Sequence, residues 1–193
     1  MYEYTELDTA GFLMTAYQHL GVKYPKFYKM DHLSKLGWLA AEFLLKASFE
    51  SARYAPEQVG IILTNANSSL DADLKYFESA REFASPALFV YTLPNIVIGE
   101  ICIKHNFKGE NAFFIFEEFD AGFIQKYVSG LMNSNILQAC ICGWVECIGE
   151  EYKAVLFFIE KGAENEPSAA VNDVADDLFT TDNLNKIYHS DNG

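Results

Sequence analysis

Apolar and polar positions in this chain follow two different periods. Over residues 9–20 (TAGFLMTAYQHL) and 32–50 (HLSKLGWLAAEFLLKASFE) the apolar residues fall three or four apart. In the second stretch positions 33, 36, 39, 40, 43, 44 and 47 form one stripe, which predicts a helix with one buried face. Asp31 stands directly before it as an N-cap. After Pro56 the pattern changes. QVGIILTN is a continuous apolar run of strand length, and such a run predicts a central parallel strand covered on both faces.

The alternation continues along the chain. Residues 70–83 read as a helix. SPALFVYTLPN is irregular, with Pro86 and Pro94 as punctuation, and Pro94 is placed in the first turn of a helix running to about His105. NFKG turns the chain, and NAFFIF reads as a second buried strand. Asp120 caps a further helix, AGFIQKYVSGLMNSN. ILQACICGWVEC is a third strand, GEEY a turn, and KAVLFFIEK a fourth strand, antiparallel to the third through that short connection. Helices alternating with strands predict an α/β layered domain with helices on the sheet faces. From residue 162 the chain becomes rich in Asp, Asn, Ser and Ala. The expected organisation is a folded domain over 1–161 and an acidic, flexible tail over 162–193, with a short helix near 168–179.

Composition narrows the function. A chain of 193 residues with 50% hydrophobic and 15% aromatic side chains is long and apolar enough to bury one sizeable core. A net charge of −13 repels phosphates, which argues against nucleic acid and anionic membrane surfaces as partners. No apolar run approaches the ~20 residues a membrane-spanning helix needs. MYEYTELD is acidic and lacks a basic region followed by an apolar one, so no secretory signal is read. The expected location is the cytoplasm, with Cys102, Cys140, Cys142 and Cys147 as reduced thiols.

Candidate chemistry is sparse. Cys140 and Cys142 share one face of a strand among apolar neighbours with no histidine nearby, so they read as packed thiols and not as metal ligands. His19, His32, His105 and His189 sit in no nucleophile or metal motif, and His105 beside Lys104 suits a helix C-terminus. TNANSSLDADL follows the first strand, where α/β proteins bind ligands, but it lacks the glycines of a phosphate cradle. No cofactor and no metal are expected. The exception is the corner after NAFFIF, where Glu117 and Glu118 precede the helix capped by Asp120. In many α/β enzymes such a corner holds a nucleophile, because a helix N-terminus lowers a thiol's pKa and backbone N–H groups hold an oxyanion. A carboxylate is stable there but is a poor nucleophile for acyl transfer. Two readings stand: a charged turn with a helix cap, or a working site with Glu118 or Asp120 as general base.

DHLSKLGWLAAEFLLK, then VGIILTNANSS, then ASPALFVYTLPNIVIGEICIKHNFKGENAFFIF, resembles in order and spacing the N-terminal half of a β-ketoacyl synthase, over roughly residues 29–160. Pro94-Asn95, the helix to His105 and Lys108-Gly109 match the family's middle block, and Gly143 lies where the later strand ends in the family. The resemblance implies a thiolase-like half: a mostly parallel sheet of four to five strands with the last strand antiparallel. It places Glu118 where the family has its nucleophilic cysteine, or Glu117 with an offset of one, and no cysteine lies within ten residues. Whole synthases are about twice this long, and the half without a counterpart carries two basic catalytic residues. The family's central first strand has only YEYTEL as a candidate. Claisen condensation needs a thiolate and two polar partners, so the resemblance implies the fold and argues against the reaction. It implies a degenerate subunit, similar to a chain-length factor, that pairs with an active synthase in a fatty-acid-like or aryl-polyene-type polyketide pathway. The partner is then a second copy or a full-length ketosynthase, with acyl chains as possible ligands. Phe113, Phe114, Phe116, Phe119, Phe123 and the LPNIVIGEI helix are the expected contact face. The alternatives are a weak acyl-thioester enzyme using Glu118 or Asp120, and a stand-alone module that binds or senses an acyl group.

Overall fold

A computed structural model describes residues 8–162 and 178–190. Helix α1 (Thr9–Leu20) begins where the Asp8 carboxylate accepts from the Gly11 N–H at 2.7 Å, and ends at Gly21 in the left-handed region. Helix α2 (His32–Ser48) starts as its sequence predicts, with the Asp31 carboxylate accepting from the Ser34 N–H at 3.1 Å. Strand β1 (Val59–Asn65) leads into α3 (Leu70–Ser79), α4 (Pro86–Val90) and α5 (Ile96–His105). Strand β2 (Asn111–Ile115), helix α6 (Ala121–Asn133), strands β3 (Ala139–Ile148) and β4 (Glu151–Glu160), and helix α7 (Thr181–Tyr188) complete the described chain.

The four strands form one mixed sheet in the order β2-β1-β3-β4. β1 is parallel to both neighbours, with Leu63 opposite Phe113 on one side and Gly143 on the other. β3 and β4 are antiparallel, as the short GEEY connection predicts, with Gly143 opposite Leu156. Alternate residues feed two apolar layers. Ile61, Leu63, Ile141 and Val145 pack under α1, α2 and α5, where Trp38 is fully buried and stacked on Tyr24 at 5.2 Å. Ile62, Cys140, Cys142 and Trp144 pack under α6 and α7. The domain is thus α/β, layered and mostly parallel, with its last strand antiparallel. No helix of the described residues is long and apolar enough to cross a membrane.

Several expectations change. α3 stops at Ser79, short of residue 83. Pro94 lies outside α5, whose N-cap is Asn95, because Thr92 is held back to the start of α3 by the Ser69 hydroxyl at 2.7 Å. β2 is an edge strand and only half-buried, since β1 is its sole neighbour among the described residues. The LPNIVIGEI helix faces the core, where Val97, Ile98 and Ile101 are buried against α2, so it offers no broad contact face. YEYTEL and most of the 168–179 helix lie outside the described residues. The flexible tail expected over 162–193 meets the structure chiefly at 178–190. There α7 is docked with Leu184 buried.

β3 does not end near Gly143. It runs on to Ile148, and Gly143 sits mid-strand at φ +143° with the β4 backbone pressed against it. A Cβ there would overlap the Val155 carbonyl oxygen and stand 3.1 Å from the Leu156 Cα. The extension brings Glu146 to the end of β1, where its carboxylate accepts from the Ala66 and Asn67 N–H groups at 2.8 and 3.0 Å. Asn65 and Ser68 then bond each other in both directions, which closes the loop.

Two outcomes follow from this junction. Gly143→Ala lowers unfolding free energy by about 3 kcal/mol or more, from the left-handed backbone and the overlap with β4 together, measured by urea denaturation. Glu146→Ala leaves two N–H groups at the end of a buried strand without their acceptor and costs on the order of 2–3 kcal/mol. Glu146→Gln retains an acceptor and recovers part of that loss in the same measurement.

Candidate functional site

The corner lies at a strand-to-helix junction. β2 ends at Ile115, and the Phe116 N–H donates to the Asn65 carbonyl at 3.0 Å, the last tie to the sheet. Glu117 and Glu118 form the bend with both side chains in solvent. Asp120 caps α6: its carboxylate accepts from the Phe123 N–H at 2.8 Å and its carbonyl from the Ile124 N–H at 3.1 Å. Those two N–H groups are therefore committed to the cap, which removes them as donors to a substrate oxyanion.

Phe119 points the other way. It is buried, stacked on Tyr188 at 4.5 Å and edge-on to Trp144 at 6.4 Å. Phe114, Phe116, Phe123 and Tyr127 pack ring to ring beside it, with Phe114–Phe123 and Phe116–Phe123 both at 4.8 Å. Of the five phenylalanines expected to form a contact face, Phe119 is core and the other four are half-buried, largely against one another and the sheet. The physical reason is α7, which lies beside the corner and supplies Tyr188 and Leu184 to this layer.

Between the corner and α7 is an open cleft of about 850 Å³, lined by Glu117, Glu118, Asp120, Thr181, Asn185, Tyr188 and His189 among others. Burial raises the Tyr188 phenol, and the carboxylates of Glu146 and Glu118 add to the effect. The Lys153 ammonium sits 3.8 Å from the Tyr188 ring centroid and braces α7 against β4. The α7 half of this cleft was invisible to a reading that placed a tail after residue 161. Its signal was present: Thr180 as a cap with Leu184, Ile187 and Tyr188 three or four apart. Glu146, a carboxylate inside an apolar strand, was the other overlooked clue.

The corner holds no thiol. Cys140 and Cys142 are fully buried on the α6 side of the sheet. The Cys142 thiol is raised by its hydrogen bond with Cys140 and by burial. Burial holds the Cys102 thiol at about 11, and burial with Asp71 and Asp31 nearby holds Cys147 at about 12. These three thiols stay protonated at neutral pH and are poor nucleophiles. The histidines are dispersed as well. His105 Nε2 pairs with the Glu42 carboxylate at 2.5 Å, tying α5 to α2, and burial lowers the pKa of His32. Only His189 reaches the corner cleft.

No family model matches the chain, and no curated protein matches it. Solved structures do. The ishigamide ketosynthase/chain length factor superposes with a TM-score of 0.52 at 19% identity, covering 63% of this chain and 36% of that one. AntDE:AntF, a type II PKS acyl-carrier protein in complex with its ketosynthase bound to the hexaketide, gives 0.53 at 19% identity over 74% of this chain and 47% of that one. A ketosynthase (ApeO) in complex with its chain length factor (ApeC) from Xenorhabdus doucetiae gives 0.53 at 15% identity, over 84% and 70%. The chain spans between about a third and a half of the first two and most of the third. Its described core therefore has the thiolase-like fold of the ketosynthase and chain length factor structures.

Proposed function

We propose that this chain is a non-catalytic, ketosynthase-like subunit of the chain-length-factor type. It pairs with an active β-ketoacyl synthase in a fatty-acid-like or aryl-polyene-type polyketide pathway. The observation that carries this reading is the corner after β2. It lies at a strand-to-helix junction, the kind of place where α/β enzymes carry a nucleophile, and it presents Glu117 and Glu118 to solvent and spends two α6 N–H groups on Asp120. We assign Glu118 to the position of the lost nucleophile. The company of the matching structures supports the pairing: two are described as a ketosynthase with a chain length factor, and one as a ketosynthase with its carrier protein. A net charge of −13 suits a subunit that leaves an acidic carrier protein to its partner.

A second reading rests on the cleft, which brings Glu118 and Asp120 near His189 and could support weak acyl-thioester hydrolysis. The two readings separate in one assay. Under the first, the purified chain gains no acyl adduct by intact-mass spectrometry and hydrolyses acyl-thioesters no faster than buffer. Hydrolysis above background that drops tenfold or more in Glu118→Gln supports the second instead. Pairing is tested by affinity capture of the tagged full chain from its native host. A full-length ketosynthase recovered in 1:1 ratio is the expected result, and capture that returns no ketosynthase removes the first reading.

A further inference from the structure

β4 is the longer outer strand of the sheet, ten residues against the five of β2, and among the described residues β3 is its only ladder neighbour. Edge strands are usually kept short, or blunted with proline or charge. β4 has neither proline nor glycine, and residues 154–159 (AVLFFI) carry no charge. Ala154, Leu156 and Phe158 face the layer of α1, α2 and α5, while Phe157 and Ile159 face α6 and α7. All five are only half-buried, whereas residues 139–145 of β3 are buried throughout. The difference lies in the open edge.

Two open grooves of about 700 and 870 Å³ run along that edge. Phe12, Leu39 and Phe43 of α1 and α2 stand in the wall of the first, and Phe179, Leu184 and other residues at α7 in the wall of the second. Leu156, Ile187 and Ser190 line both, so the two grooves meet at β4. Between them runs the outer row of N–H and C=O groups of a strand about 33 Å long. An alkyl chain or a helix has no free main-chain groups to offer such a row, whereas an extended chain does. Side chains of an added strand point alternately to the two faces of the sheet, and so into one groove and then the other.

Charge narrows the occupant. The ionisable side chains in the groove walls are Tyr152, Tyr188, Lys153, Lys186 and Glu160. Glu160 is already paired with the Arg53 guanidinium at 3.0 Å and accepts from the Tyr54 hydroxyl. Glu151 at the hairpin and Asp182 on α7 are exposed and stand outside the walls. Lys153 lies over the Tyr188 ring, and Lys186 is exposed. In a chain of net −13, the charge that these walls leave for a ligand is therefore positive. We propose that the outer edge of β4 binds an extended, acidic segment of another protein by strand addition, with alternate apolar side chains entering the two grooves and a carboxylate meeting Lys186. This binding does not rest on pairing with a ketosynthase and is tested on the purified chain alone.

The probe is the fluorescein-labelled peptide Glu-Val-Thr-Val-Glu-Val-Thr-Val-Glu, titrated with the full chain and read by fluorescence anisotropy. Saturable binding is expected, with a Kd on the order of 1–100 μM. Lys186→Glu, checked for wild-type circular dichroism, weakens it roughly tenfold or more, and so does replacing the peptide's glutamates with lysine. Ile187→Asp, which puts a charge between the two grooves, has a similar effect. Ile115→Asp, on the β2 edge, leaves binding unchanged. Methylating every peptide nitrogen keeps the side chains, removes the ladder donors and abolishes binding. No saturable binding below about 500 μM, undiminished binding by Lys186→Glu or to the methylated peptide, or loss in Ile115→Asp each overturns the proposal. Binding seen only after deletion of residues 1–7 overturns it too, because the edge is then taken by the chain's own N-terminal residues. A peptide that binds by dissociating a dimer in sedimentation assigns the edge to a second copy, with the same consequence.

Discussion

Val59–Asn65 lies with both faces and both edges inside the protein, and the rest of the fold is arranged to keep it there. A strand in that position can leave no backbone group unpaired along its length, so it needs a parallel neighbour on each side and a helical layer above and below. β2 and β3 provide the first; α1, α2 and α5 on one face, and α6 with α7 on the other, provide the second. The difficulty comes where β1 leaves the sheet. The N–H groups of Ala66 and Asn67 emerge beyond the ladder, and Glu146 accepts from both. That requires β3 to outrun β1, and β4 to follow it closely past Gly143.

The corner after β2 is subject to the same logic. An edge strand followed by a helix must turn sharply, and the turn is secured by Asp120 outside and Phe119 inside. One face of the corner is core, closed by Tyr188, Trp144 and Leu184, while the other is a row of carboxylates in water. In this chain the junction is organised for packing and capping. The three perturbed thiols, Cys102, Cys142 and Cys147, lie away from it and are kept protonated chiefly by burial.

Charge and hydrophobicity are also segregated at the surface. Carboxylates rim the corner cleft, whereas the stretch from Phe83 to Val90 is uncharged and partly uncovered.

Local pattern and chemistry alone determined much of this molecule. The strand pattern of VGIILTN, the helix stripe after Asp31, the cap at Asp120 and the hairpin at GEEY each rest on interactions within a few residues, so each was legible in the chain. The corner carrying Glu117 and Glu118 was legible for the same reason. What the sequence left open depended on which element came to lie beside which. NAFFI reads as buried, but a strand's exposure depends on its place in the sheet, and β2 falls at the edge. LPNIVIGEI reads as contact surface, and packing against α2 assigned it to the core instead. The Tyr188–Phe119 stack joins residues far apart in sequence, as does the Glu146 bond to β1. Pairings over such distances leave no periodic trace in the chain; they exist only once the sheet has brought their ends together.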